Sequence, residues 1–195
     1  MDRRRLLQAG LAAGAAGWIA RGAQAAAARK ADFRLAYAPH PGMFRHSAGD
    51  DVVAQMEFAR DQGFTAWEDN GLAGRPVEEQ ERIGKALERL GMRMGVFVAN
   101  FGTAFGKKSF AAPTDEHRAS FLADLKTSVE VAKRVNATWM TVVPGDLEPR
   151  LERERQDANA IEMLRRGAEV FEPHGLVMVL EPLNPWPRSS SRTAW

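Results

Sequence analysis

The chain has 195 residues, of which 45% are hydrophobic and 27% charged. That size and balance suit one soluble globular domain or slightly more, and exclude a disordered chain. No apolar run reaches the ~18–20 residues that would span a bilayer, and the absence of Cys excludes disulfides, thiolate chemistry and cysteine metal sites. The net charge of +2 is misplaced as a clue to partners. Residues 1–25 carry Arg3, Arg4, Arg5 and Arg21 against Asp2, which leaves 23 basic and 24 acidic side chains on the body. A near-neutral body lacks the basic stripe that a nucleic-acid partner requires.

The first 25 residues read as an address. A basic start is followed by an Ala/Gly/Leu stretch from Leu6 to Ala20 and by Ala23-Gln24-Ala25, an A-x-A cleavage site. The pattern resembles a twin-arginine export signal with Arg3-Arg4 as the pair. Asp2, Leu6 and Gln8 depart from the usual residues around it. The expectation is an export signal over 1–25, a periplasmic or exported product, and no stable membrane span once the signal is cleaved.

From residue 33 strand and helix signals alternate. Residues 33–38 (FRLAYA) predict a first strand. Ser47 is a cap candidate for the helix that follows, with Asp50 and Asp51 in its first turn, Val52, Val53, Met56 and Ala59 as its stripe, and Gly63 as its stop. Residues 64–68 (FTAWE) predict strand two. Ile83, Leu87 and Leu90 recur at helical spacing before Gly91. Residues 92–99 (MRMGVFVA) predict strand three. Thr114 caps a third helix with Asp115 and Glu116 early and Lys133 and Arg134 late, and its inner face is Phe121, Leu122, Leu125, Val129 and Ala132. Residues 138–143 (TWMTVV) predict strand four. Ile161, Leu164, Ala168 and Phe171 form the stripe of a fourth helix that ends near Pro173 and Gly175. Residues 176–181 (LVMVLE) predict strand five, whose unbroken apolar run is that of a strand covered on both faces.

Repeated β-α units demand parallel strands with helical crossovers. The mean step between strands, ~36 residues, is close to the ~31 of a (β/α)8 barrel. A doubly wound sheet would offer a Gly-rich phosphate loop after strand one. The sequence there is Pro39-His40-Pro41-Gly42, and no G-x-G-x-x-G occurs anywhere. The fold class expected is α/β, an incomplete (β/α)8 TIM barrel of about five parallel strands with four helices over 26–184.

In such folds the chemistry lies at the carboxyl ends of the strands. Those ends carry His40, Glu68, Asn100, Asp146 and Glu181. Glu181 is the sharpest candidate, because a carboxylate directly after Val-Met-Val-Leu is costly unless solvated, paired or bound to a metal. Glu68 reads either as a ligand or substrate contact or as a rim charge. His40 reads as a rim group or as a loop histidine bonded to backbone, and Asn100 as a substrate contact or a loop cap. Trp67 and Trp139 read as core.

These residues carry a family resemblance. Ala38-Pro39-His40-Pro41-Gly42, Ala66-Trp67-Glu68, Val98-Ala99-Asn100, Met140-Thr141-Val142-Val143-Pro144-Gly145 and Val179-Leu180-Glu181-Pro182-Leu183-Asn184 occur in the order seen in the sugar phosphate isomerase/epimerase superfamily, the xylose-isomerase-like TIM barrels. The chain resembles the hydroxypyruvate isomerase branch most. The resemblance implies metal-assisted proton transfer next to the carbonyl of a small hydroxy-carbonyl acid or sugar. It implies a divalent metal and a catalytic, metal-ligating Glu181, with His40, Glu68, Asn100 and Asn184 as substrate contacts. A zinc endonuclease of the same fold would want histidines where Glu68 and Asn100 stand, and a basic face.

The family continues for three more β/α units, whereas residues 185–195 read Pro-Trp-Pro-Arg-Ser-Ser-Ser-Arg-Thr-Ala-Trp, with no acidic residue and no periodicity. The expectation is an irregular tail, from a wrong frame or an early end, on a chain that lacks a complete site. The second glutamate and the other metal ligands would lie on strands that follow. The alternative is a non-catalytic remnant or a half-barrel that binds a partner. Open strand edges would favour self-association.

Overall fold

The computed structural model describes residues 31–103 and 110–182. The expected signal over 1–25, Asn184 and the 185–195 tail lie outside the described residues. The chain from Phe33 onward forms a unit of its own.

Residues 33–38 do not form the expected first strand. Tyr37 N–H donates to the Leu35 carbonyl at 3.0 Å, a three-residue turn, and Leu35 stands 65% exposed. The reason lies just beyond. Pro39 and Pro41 have no N–H to donate and His40 N–H turns to Met43 Sδ at 3.5 Å, so residues 39–41 offer a sheet only carbonyls. One bond survives: Glu68 N–H donates to the Pro39 carbonyl at 3.0 Å.

Helix α1 (Arg45–Ala48) is a single turn that contains Ser47, ended by Gly49 at φ +79°. The cap of the next helix, α2 (Val52–Gln62), is therefore Asp51 and not Ser47. The Asp51 carboxylate accepts from Ala54 N–H at 2.8 Å. Gln55, buried in α2, ties the loop before it: its carbonyl oxygen accepts from Gly42 N–H at 2.8 Å, and its amide donates to Gly49 O at 2.9 Å. Strand β1 (Ala66–Trp67) follows. Helix α3 (Val77–Leu90) buries Ile83, Ala86 and Leu87 and stops at Gly91, φ +60°. Strand β2 (Arg93–Met94) covers only part of the predicted run over 92–99. The run stays beside β1 and the residues after it, with Gly95 N–H on Trp67 O, Asp69 N–H on Val96 O and Val98 N–H on Asn70 O; from Phe97 it also bonds the next strand, with Thr141 N–H on Phe97 O and Ala99 N–H on Thr141 O, both 2.8 Å.

Helix α4 (Asp115–Val135) starts where the sequence places it. The Thr114 hydroxyl accepts from His117 N–H at 3.2 Å, and the His117 ring accepts from Thr114 N–H at 3.5 Å. Strand β3 (Trp139–Val142), helix α5 (Arg153–Phe171) and strand β4 (Val177–Leu180) complete the described elements. The stripe of α5 is rotated from the one expected. Ile161 is 51% exposed, while Met163, Gly167 and Phe171 are buried. Gly167 decides the rotation. A Cβ there would stand 3.0 Å from Leu125 Cδ1 and from Met178 Sδ, so the helix turns its bare position toward α4 and β4.

Every pairing is parallel. Ala66 stands opposite Arg93, Trp139 opposite Val177 and Thr141 opposite Val179, with Val98 opposite Thr141 joining the two pairs. Spatial order follows chain order with no reversal, which is barrel winding and not a doubly wound sheet. The fold is a partial TIM barrel, with four strands and five α-helices among the described residues against the five strands and four helices expected. Trp67, Met94, Met140 and Val142 lie in one core cluster with Met56, Ile83, Leu125 and Phe171 of the helices. Because side chains alternate along a strand, Ala66, Glu68, Arg93, Gly95, Trp139, Thr141, Val177, Val179 and Glu181 share the other, inner face. Trp139 is accordingly 48% exposed and not core, and Val177 and Val179 are not covered on both sides.

Candidate active site

The parallel ladder places the candidate residues. In this ladder, Arg93 N–H bonding to Thr65 O goes with Ala66 opposite Arg93. Outside the ladder, the Glu68 N–H bond to Pro39 O brings His40, the next residue, beside Glu68. Gly95 N–H on Trp67 O, at 2.7 Å, sets Gly95 opposite Glu68. Glu181 N–H on Val142 O, at 3.0 Å, sets Glu181 opposite Val143.

Glu68 is half-buried on the inner face. Burial pushes its carboxyl above the ordinary carboxylate range; the nearby His40 pulls it back, and the negative charge of Glu181 pushes it up again. His40, Glu68 and Glu181 therefore share one electrostatic neighbourhood at the carboxyl ends of the strands. His40 is exposed and its Nδ1 lies 2.9 Å from the Pro41 carbonyl. With the proton on Nδ1 this is a donated bond, and Nε2 is left as an acceptor. Glu181 is exposed at the tip of β4.

Asn100 is wholly buried and its amide is spent on backbone. Nδ2 donates to Val143 O at 2.9 Å and Oδ1 accepts from Val143 N–H at 3.0 Å. That two-pronged clasp fixes the end of the strand that Glu181 bonds to. Asn184 falls outside the described residues.

The sequence reading passed over Asp69. It is 2% exposed, accepts from Gly71 N–H at 3.1 Å and pairs with Arg75 Nε at 2.6 Å. The carbonyl of Arg75 accepts from the buried Gln80 amide at 2.9 Å, and Gln80 accepts from Arg134 at 2.9 Å. The available signal was the doublet itself. On a strand, Glu68 and Asp69 must face opposite sides, so one reaches the inner rim and the other has to be paired under the helices.

A cleft of about 680 Å³ lies at the other, amino-terminal ends of the strands, among Lys85, Arg93, Lys133 and Trp139. It takes no part in the rim cluster. Among the described residues, no three His, Asp or Glu side chains converge closely enough to hold a metal ion.

Solved structures similar to this chain share its fold. One is an AP endonuclease of family 2 from Brucella melitensis, 18% identical, with a TM-score of 0.58, over 76% of this chain and 55% of that one. Another is the D-psicose 3-epimerase with D-tagatose from Clostridium cellulolyticum H10, 16% identical, TM-score 0.55, over 69% of this chain and 48% of that one. A third is the IolI protein with a bound zinc atom, 12% identical, TM-score 0.57, over 74% and 51%. The chain thus spans about half the length of these structures. A search of curated proteins finds no match. The model of one family, described as the xylose isomerase-like TIM barrel, matches residues 56–195, and the chain belongs to that family.

Proposed function

We propose that this chain carries part of the active site of an isomerase or epimerase acting on a small hydroxy-carbonyl acid or sugar, with the hydroxypyruvate isomerase type as the specific reading. The observation that supports it most is the placement of Glu68 and Glu181 on one inner face, at the carboxyl ends of two parallel strands, with His40 beside Glu68. Isomerisation next to a carbonyl needs a base to take the C–H proton and an acid to give one to oxygen. Two carboxyl groups in unlike surroundings supply that division. The half-buried Glu68, pushed up by burial, keeps its proton to higher pH and serves as the acid. Glu181 at the exposed strand tip serves as the base. His40 Nε2 accepts a hydrogen bond from a substrate hydroxyl, and Asn100 acts on Glu181 through the Val143 backbone.

The family and the zinc-bound neighbour support a divalent metal. Glu181 is the ligand this reading assigns to it. The described residues do not by themselves complete a coordination sphere.

The test is solvent deuterium exchange at the carbon next to the carbonyl, followed by NMR with hydroxypyruvate, D-fructose and D-tagatose in the presence of Mn²⁺. Exchange in the parent should fall by at least ~10²-fold in Glu181→Gln, the usual worth of a general acid or base. No exchange in the parent with any of the three would favour the non-catalytic, partner-binding alternative.

A further inference from the structure

Glu68 N–H bonds the Pro39 carbonyl and Gly95 N–H bonds the Trp67 carbonyl, so Glu68 lies between the His40 segment on one side and Gly95 on the other. Gly95 has no side chain, and it is absent from the glycines at positive φ, so no left-handed turn requires it. What requires it is closeness. A Cβ at 95 would stand 3.2 Å from Trp67 O, 3.3 Å from Ala38 Cβ and 3.4 Å from Glu68 Cβ. The first of these neighbours is the backbone of β1. The second belongs to the segment that reaches His40 two residues later.

That segment has little freedom to retreat elsewhere. Pro39 is buried and its carbonyl is held by Glu68 N–H. Downstream, Gln55 grips both Gly42 and Gly49. A push at Ala38 is therefore passed through Pro39 to the backbone beside Glu68, and so to His40.

We propose that Gly95 is a positioning residue: its bare α-carbon lets the Ala38-Pro39-His40 segment close onto β1 and β2, and this sets the separation of His40 from Glu68. Ala38 is its matched small partner. The spacing itself is independent of any reaction. Its weight for function rests on the proposed isomerase reading, in which both groups meet substrate.

The absence of Cys makes the spacing measurable. In the full chain, His40→Cys with Glu68→Cys creates the only cysteine pair. Backbones joined by a bond like that of Glu68 N–H to the Pro39 carbonyl run about 5 Å apart, inside the ~4.4–6.8 Å Cα window for a disulfide. The pair should therefore close readily under mild oxidation. Adding Gly95→Val should slow closure by about tenfold or more, as Cα atoms pushed out of that window no longer bridge. Adding Ala38→Gly to that variant should recover most of the rate. Far-UV circular dichroism and the melting profile show which variants are folded, and Gly95→Ala is the milder substitute where Gly95→Val is not. Failure of the parent pair to close would overturn the proposal. So would unchanged closure with Val at 95, or a loss that Ala38→Gly leaves untouched. Loss of the isomerase reading through the deuterium experiment would leave all three outcomes readable.

Discussion

The two faces of the parallel sheet use the same strands for different work. On the outer face Trp67, Met94, Met140 and Val142 alternate into a core shared with four helices, and none is more than 5% exposed. On the inner face Trp139, Val177 and Val179 are half in solvent, and the positions near the carboxyl ends are Glu68 and Glu181. One-residue alternation thus separates side chains packed under the helices from an inner face that, apart from Ala66 and Thr141, is open to solvent. The two tryptophans make the contrast testable, since both sit within strands. Trp67→Ala should cost about 3–5 kcal/mol, the range for deleting a buried aromatic. Trp139→Ala should cost less than ~1 kcal/mol, because its ring already keeps much of its contact with water. Urea unfolding of both variants decides the matter. Equal losses would mean that the inner face is as much core as the outer one.

Adjacent carboxylates sharpen the comparison at closer range. Asp69 turns outward beneath the helices, where Arg75 and Gly71 N–H answer its charge. Glu68, one residue earlier, turns inward and has no ion pair among the described residues. Asp69→Asn keeps the shape but strands the Arg75 guanidinium. The expected loss is ~2 kcal/mol, less than the ~3–5 kcal/mol of a fully buried pair because Arg75 is 27% exposed. The same unfolding measurement reads it. An Asp69→Asn variant as stable as the parent would reduce the clasp to an ordinary surface contact.

What was legible in the sequence follows from which signals are local. The cap at Thr114 and the stop at Gly91 are set by a few consecutive residues, and both stand where the sequence puts them. Parallel order, barrel winding and the rim position of Glu68 and Glu181 followed from the repeat of β-α units. The misses came from glycine, proline and alternation. Apolar periodicity credits large side chains, so it sets α5 on Ile161 and misses the bare Gly167 that packs closely on α4 and β4. A hydrophobic run at 33–38 looks like a strand until Pro39 and Pro41 are counted as missing donors. Trp139 was placed in the core because aromatic character was weighed without asking which face its position takes.

The smallest expected effect tests the inner carboxylate itself, and its sign is the informative part. Burial raises the Glu68 carboxyl above its ordinary 4.5, with Glu181 adding to the rise and His40 opposing it. A carboxyl that holds its proton more tightly in the folded state than in the unfolded one stabilises the fold below the unfolded value. That contribution is lost as pH rises through the folded value. Above the folded value the parent therefore carries an ionised Glu68 at a cost, and Glu68→Gln removes it. Once pH passes that value the variant should melt about 1–2 °C higher than the parent, a modest gain because the group is only half-buried and partly screened by water. The difference should close below pH 4.5, where both carry a neutral side chain. Asp51 provides the opposite sign in the same protein. The Arg82 guanidinium and the Ala54 N–H hold its carboxyl below the ordinary range, so its contribution is present above the unfolded value and fades on acidification. Melting curves of Glu68→Gln and the parent across pH 3–8 separate the two cases. A variant less stable than the parent at neutral pH would mean that Glu68 is paired like Asp69, and the division between the two faces would fail at the residue where it matters most.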